Sequence, residues 1–209
     1  MAVTATTGPG WEERASARSV RLRVSVMRVP GWYVLLLAAA GVERLRELSI
    51  SRTHERALGG PRAATATWPL MVAAHAGLLT LPLLEVAGHP RRRPHWGWAA
   101  VLLGATALRV WSIRSLGPAW NVRAAVPPDI EPVTSGPYRY IRHPNYLAVI
   151  LEFAAVPLVA GAWISAVVLS ALNAIVLVDR ISAEEGLLNE SAVYRRAFAG
   201  RARFIPGVL

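Results

Sequence analysis

The chain has 209 residues, 54% of them apolar and only 17% charged, where an ordinary water-soluble domain carries about 25% charged residues. All 23 basic residues are arginines, set against 13 acidic residues to give a net charge of +10, and there is no cysteine. The apolar excess disfavours a soluble domain or a disordered chain, long apolar blocks between the arginines argue against a nucleic-acid surface, and a cysteine zinc site, thiol nucleophile or disulfide is excluded.

The positive charge therefore reads as the flanks of membrane spans, each needing roughly 20 helical residues. Residues 1–28 form a polar, Arg-rich N-terminal tail without a signal-peptide cleavage pattern. A first span from Val29 to about Ile50 is the least complete, because its apolar part, Trp32 to Val42, runs into the amphipathic Glu43-Arg44-Leu45-Arg46-Glu47-Leu48. A second runs from Trp68 to Ala87 with His75, Pro82 and Glu85, and a third from Trp96 to Ile113 with Arg109 near its end. Trp68, Trp96, Trp98 and Trp111 sit near span ends, as interfacial anchors do.

The last apolar block, Pro144 to Val178, has Glu152 as its only charge. As one helix it would extend about 52 Å, too long for one crossing. Pro157 and Gly161 predict a division into a helical hairpin whose ends emerge on the same membrane side. The expectation is an all-α polytopic membrane protein with about five transmembrane helices, the last two a hairpin. A C-terminal interfacial helix follows, with Leu187, Leu188, Tyr194 and Phe198 among Arg195, Arg196, Arg201 and Arg203. Residues 29–209 read as one domain, with a core at about 134–206. A cytoplasmic C-terminus would put 14 arginines in cytoplasmic segments against 8 outside. It would leave Arg91, Arg92 and Arg93 outside, near lipid head groups.

Ahead of the hairpin lies a proline-rich loop from Pro127 to Tyr146 containing Gly136-Pro137-Tyr138-Arg139-Tyr140-Ile141-Arg142-His143-Pro144-Asn145-Tyr146. Pro144 suits the first turn of a helix, where a missing N–H is harmless. Free N–H groups of that turn beside Arg139, Arg142 and His143 make a positive site suited to a carboxylate or phosphate. The hairpin returns Asp179-Arg180-Ile181-Ser182-Ala183-Glu184-Glu185 to the same face. Donors facing acids suit a ligand that bears both a carboxylate and a positive charge. Asn173, Arg180 and Glu184 share a helix stripe at spacings of seven and four. Glu152, seven residues beyond Asn145, reads either as a base or as a buried partner of Arg109 or His75. His54, His89 and His95 lack ligand spacing, so no metal is expected, and no glycine-rich fingerprint follows a strand.

The Gly136-to-Tyr146 motif, followed by Glu184-Glu185 and Phe204-Ile205-Pro206, resembles the isoprenylcysteine carboxyl methyltransferase family of integral-membrane enzymes. His75, Glu85, Arg109-Val110-Trp111, Leu116-Gly117, Trp120-Asn121 and Glu152 resemble its bacterial branch that O-methylates alkylresorcinols and alkylpyrones. The resemblance implies S-adenosylmethionine as cofactor, enclosed by Tyr138, Arg139, Arg142, His143, Pro144, Tyr146, Glu184 and Glu185. Which glutamate meets which part of the cofactor stays open. Candidate acceptor contacts are Arg109, Asn121, Asn145, Asn173 and Arg180, with Glu152 the candidate base.

The implied partners are the bilayer, a lipophilic acceptor and, functionally, a type III polyketide synthase, with no nucleic acid. The implied location is a bacterial cell membrane with the cofactor site cytoplasmic. Alternatives are carboxyl methylation of an isoprenylcysteine-like substrate, a membrane NADPH-dependent sterol-type reductase, or a transporter without chemistry.

Overall fold

The computed structural model describes residues 28–58, 65–89, 91–123 and 131–205. The N-terminal tail up to residue 27, the loop residues 124–130 and the end of the chain from Pro206 lie outside the described residues. Among the described residues there are six helices: α1 (Gly31–Leu58), α2 (Trp68–Val86), α3 (Trp96–Leu116), α4 (Pro144–Val159), α5 (Trp163–Leu188) and α6 (Ala192–Ala197). Single 3-10 turns stand at Gly117–Ala119 and Gly136–Arg139. Helix α2, α3 with its following turn, and α5 are long and apolar enough to cross a membrane, while α4 is a shorter apolar helix.

Helix α1 runs past its apolar half through the charged stretch to Leu58. In the core, Tyr33 and Leu37 of α1 pack with Ala74 and Leu78 of α2, Val149, Phe153 and Val156 of α4 and Leu169 of α5. The Tyr33 hydroxyl donates to the Val156 carbonyl at 3.0 Å, satisfying an otherwise buried polar group. Ile164, Val167, Ile175 and Val178 of α5 are exposed apolar side chains, as a lipid-facing helix surface requires.

The hairpin turns at Ala160–Ala162, with Pro157 accommodated inside the last turn of α4. Gly161 adopts φ +70, a left-handed helix terminus that favours glycine. Arg92 is drawn inward: its Nη1 donates to the carbonyls of Ala160 at 2.9 Å and Gly161 at 3.0 Å. This middle arginine of the Arg91–Arg93 run thus caps a helix and is not held free for lipid head groups. Glu85 closes the other side of the turn, accepting from the Ile164 and Ser165 backbone N–H groups at 3.0 and 2.7 Å. These are the exposed donors of the α5 N-terminus, where a carboxylate also meets the favourable end of the helix dipole. A Cβ at position 161 would stand 3.1 Å from both Arg92 Nη1 and His95 Nε2. Gly161→Ala is therefore expected to destabilise the protein by about 1–2 kcal/mol from backbone strain alone, read as a lower thermal midpoint in detergent.

Candidate active site

The hairpin brings the loop before α4 and the end of α5 to the same end of the molecule. Glu185 is the junction. Its Oε1 lies 3.0 Å from His143 Nε2 and 3.4 Å from Arg142 Nη1, and Arg203 grips both carboxylate oxygens at 3.1 and 2.6 Å. The backbone follows the same plan, with Arg142 N–H donating to the Ala202 carbonyl at 2.9 Å and His143 N–H to the Arg203 carbonyl at 3.0 Å. The Arg-His-Pro turn is thus pinned to α5 and to the C-terminal segment.

Beside this junction opens a cavity of about 790 Å³. Tyr138, Arg142, His143, Tyr146 and Glu184 line it, as do Arg109, Asn121, Asn145, Asn173 and Arg180. Pro144 and Glu185 are buried outside the lining. Arg139 is exposed, 6.0 Å from the Tyr140 ring centroid, and lies apart from the cavity, because the 3-10 turn Gly136–Arg139 directs it outward. The two adjacent glutamates therefore occupy different places: Glu185 is saturated by cations, whereas Glu184 faces the cavity and accepts the Tyr146 hydroxyl. Arg180 holds that end together, donating to the Val122 carbonyl at 2.7 Å and reaching the Tyr146 hydroxyl at 3.4 Å.

Tyr138, Tyr194 and Phe198 form an aromatic cluster near this end of the cavity, with Leu116, Val133, Leu188 and Ala197 packed against it. The six-residue α6 thus turns Tyr194, and Phe198 just past its end, onto Tyr138. Burial, with a contribution from Glu184, raises both tyrosine phenols above their usual range, so they present neutral hydroxyls at physiological pH. The strap after α3 forms another wall: His54 Nδ1 lies 2.7 Å from the Trp120 carbonyl, and Val122 N–H donates to Ser51 Oγ at 2.9 Å. Ser51 and His54 belong to the part of α1 beyond the predicted span.

At a different part of the wall the lining becomes ionic. Arg109 binds Glu47 through Nε at 2.5 Å and Nη2 at 2.7 Å. Arg44 lies 2.9 Å from Glu47 and donates to both Glu152 oxygens at 3.2 Å, and Arg109 Nη1 is 3.6 Å from Glu152. Arg44, Glu47 and Arg109 line the cavity, with Glu152 behind them. Glu152 thus lies buried in an ion cluster with Arg44 and Arg109. The sequence reading missed Arg44 and Glu47 as cavity residues and Arg203 as the clamp on Glu185. Their signal was present as charges in apolar or aromatic surroundings, but apart from the Arg44–Glu47 contact itself their partners lie 18 to 108 residues away.

Apolar helices of membrane-crossing length packed around a large, polar-ended cavity are the architecture of an integral-membrane protein. Residues 98–190 match the isoprenylcysteine carboxyl methyltransferase (ICMT) family. The chain is also 34% identical over 164 residues to the uncharacterized protein YpbQ of Bacillus subtilis, an alignment covering 76% of this chain and 98% of that protein. The chain belongs to the ICMT family and is a membrane methyltransferase. Methyltransferases of this family generally use S-adenosylmethionine.

Proposed function

We propose that the protein transfers a methyl group from S-adenosylmethionine to the hydroxyl of a lipophilic acceptor of the alkylresorcinol or alkylpyrone type. The observation that carries this reading is one cavity with two kinds of polar lining, the Arg142–His143–Glu184 end and the Arg44–Glu47–Arg109 wall. Two partners are needed in methyl transfer, and the reaction demands their alignment.

The residues at the first end fit the cofactor. Among the described residues Arg142 Nε and Asn145 Oδ1 are buried there without a hydrogen-bond partner, one donor and one acceptor beside the cavity. Buried polar atoms of this kind demand a partner, and a zwitterionic amino acid supplies both complements. Arg142 and His143 would hold the carboxylate, Glu184 the ammonium or ribose hydroxyls, and Tyr138 and Tyr146 the flat ring. Pro144 and Glu185 would position these groups from behind. When bound, the cofactor supplies an electrophilic methyl on sulfonium.

For the acceptor, Arg109, Asn121, Asn173 and Arg180 supply polar contacts along the wall. Apolar side chains such as Met71, Val72, Leu79 and Val149 give an alkyl chain its surroundings. In this reading the acceptor enters from the bilayer of a bacterial cell membrane, the cofactor from the cytoplasm, and a type III polyketide synthase makes the acceptor. An isoprenylcysteine carboxylate is the second reading, favoured by the family to which the chain belongs.

Purified protein in detergent is expected to bind S-adenosylhomocysteine by calorimetry. It is also expected to transfer labelled methyl to 5-undecylresorcinol or 4-hydroxy-6-undecyl-2-pyrone, with the label recovered as an ether. Failure of folded protein to bind the product would end the methyltransferase assignment of the site. Labelling of farnesylcysteine alone would establish the carboxylate reading in place of the hydroxyl.

A further inference from the structure

The cavity wall offers several groups that could accept a proton: Glu131 and Glu190 are exposed to solvent, and of those deeper in the bundle most are engaged. Glu47 is bound by both Arg44 and Arg109. Glu184 accepts the Tyr146 hydroxyl, and the imidazole of His143 is turned to Glu185. Each of these groups already holds a partner in the fold.

His75 differs. Its Nδ1 lies 2.8 Å from the Met71 carbonyl, one turn earlier on α2. A carbonyl oxygen only accepts, so Nδ1 carries the proton and in the neutral ring Nε2 keeps its lone pair. The ring stands edge-on to Phe153 at a centroid distance of 5.0 Å and 79°, which fixes its plane, and the residue lines the cavity. Among the described residues Nε2 has no hydrogen-bond partner. Arg44 and Glu47 of α1, Arg109 of α3 and Arg180 of α5 line the same cavity, with Glu152 of α4 paired to Arg44 and Arg109 behind the wall. Nη1 of Arg44 and Nη1 of Arg109 are buried and, among the described residues, make no hydrogen bond of good geometry. An oxygen losing its proton to Nε2 would therefore develop negative charge in a field of cations.

We propose that His75 is the catalytic base that removes the hydroxyl proton of the acceptor through Nε2. This rests on the methyl transfer to a hydroxyl proposed above. In the step, the acceptor O–H bond breaks and its proton forms an N–H bond at Nε2. The freed oxygen pair forms the new O–CH3 bond as the donor S–CH3 bond breaks, and that pair stays on sulfur. The resulting imidazolium returns its proton to water after the ether leaves.

The test compares two acceptors of matched chain. 5-Undecylresorcinol carries a phenol with a pKa near 10, like that of tyrosine, and needs a base. 4-Hydroxy-6-undecyl-2-pyrone is a vinylogous acid, already ionised at neutral pH, and needs none. His75→Asn retains an amide donor near the Nδ1 position, and His75→Gln is the second variant should the first fail to fold. S-adenosylhomocysteine affinity within about twofold of wild type certifies the fold of either.

The variant is expected to lose about 10²–10⁴-fold in rate on the resorcinol while keeping most of the wild-type rate on the pyrone. A second readout needs no turnover: quenching of tryptophan fluorescence should show wild-type protein binding the resorcinol about tenfold more tightly than its dimethyl ether, with the preference lost in the variant. Equal rate losses on both acceptors, or an unchanged preference for the free phenol, overturn His75 as the base and leave the proposed function standing. Wild-type protein that binds S-adenosylhomocysteine but methylates neither acceptor overturns both the hydroxyl reading and this assignment.

Discussion

Glu185→Gln is expected to weaken S-adenosylhomocysteine binding by about a hundredfold and to lower the thermal midpoint as well. The carboxylate is 7% exposed and faces three cationic or ionisable side chains, from the Arg142–His143 turn and from Arg203. An amide keeps the shape but loses the charge, so one oxygen can serve at most part of this set, and each charge-assisted bond lost is worth about 1.5–3 kcal/mol. The loss reaches the ligand indirectly, because Arg142 and His143 are the residues proposed to hold its carboxylate and would no longer be fixed in place. Arg203→Gln makes the informative comparison. Its side chain is half-exposed, solvent screens what it contributes, and His143 and Arg142 would still meet an intact carboxylate. A loss below tenfold is expected there. Calorimetry in detergent reads both effects. Unchanged affinity in Glu185→Gln would mean that the junction does not organise the cofactor end.

The two adjacent glutamates illustrate what the sequence could and could not reveal. Their return to the Arg-His-Pro face followed from block length and the Pro157–Gly161 interruption, since a 35-residue apolar run has few ways to fit a membrane. The stripe of Asn173, Arg180 and Glu184 followed from helical periodicity, and all three residues line the cavity. The division of labour between Glu184 and Glu185 did not follow, because it depends on Arg203, which reaches Glu185 from an irregular C-terminal segment. Arg139 and Arg142 carry the same charge three residues apart. Only the 3-10 turn, entered at Gly136 with φ +58, separates an exposed side chain from one at the junction. A Cβ at Gly136 would collide with Ser115 Oγ, so the turn also depends on contact with α3. The charged half of α1 was hardest to read. Glu43, Arg44, Arg46 and Glu47 look like a solvated helix face when taken alone. In the fold Arg46 pairs with Glu43 at the exposed surface, while Arg44 and Glu47 turn inward toward partners on α3 and α4. Local period indicates which residues share a face and leaves open what that face meets.

That inward pair makes Arg109 the position where substitution should cost the fold most. Arg109→Met is expected to destabilise the protein by about 3–5 kcal/mol, the usual consequence of removing one partner from a buried ion pair. Two arginines and two glutamates from α1, α3 and α4 neutralise one another here, and Arg109 is 6% exposed. Methionine fills much of the space but leaves two carboxylates sharing Arg44. Adding Glu152→Gln to Arg109→Met restores one anion to one cation, and the double variant is expected to recover part of the loss. Glu47→Gln should recover more, because Glu47 takes both short bonds from Arg109 and loses more when that partner is gone. Thermal unfolding of the single and double variants in detergent forms a double-mutant cycle with a coupling energy of about 0.5–3 kcal/mol. Losses that merely add would show four independent side chains. Recovery would show one neutral unit, which explains how a helix bearing Arg44 and Glu47 can pack against apolar spans: each charge finds its opposite inside the bundle, where lipid offers none.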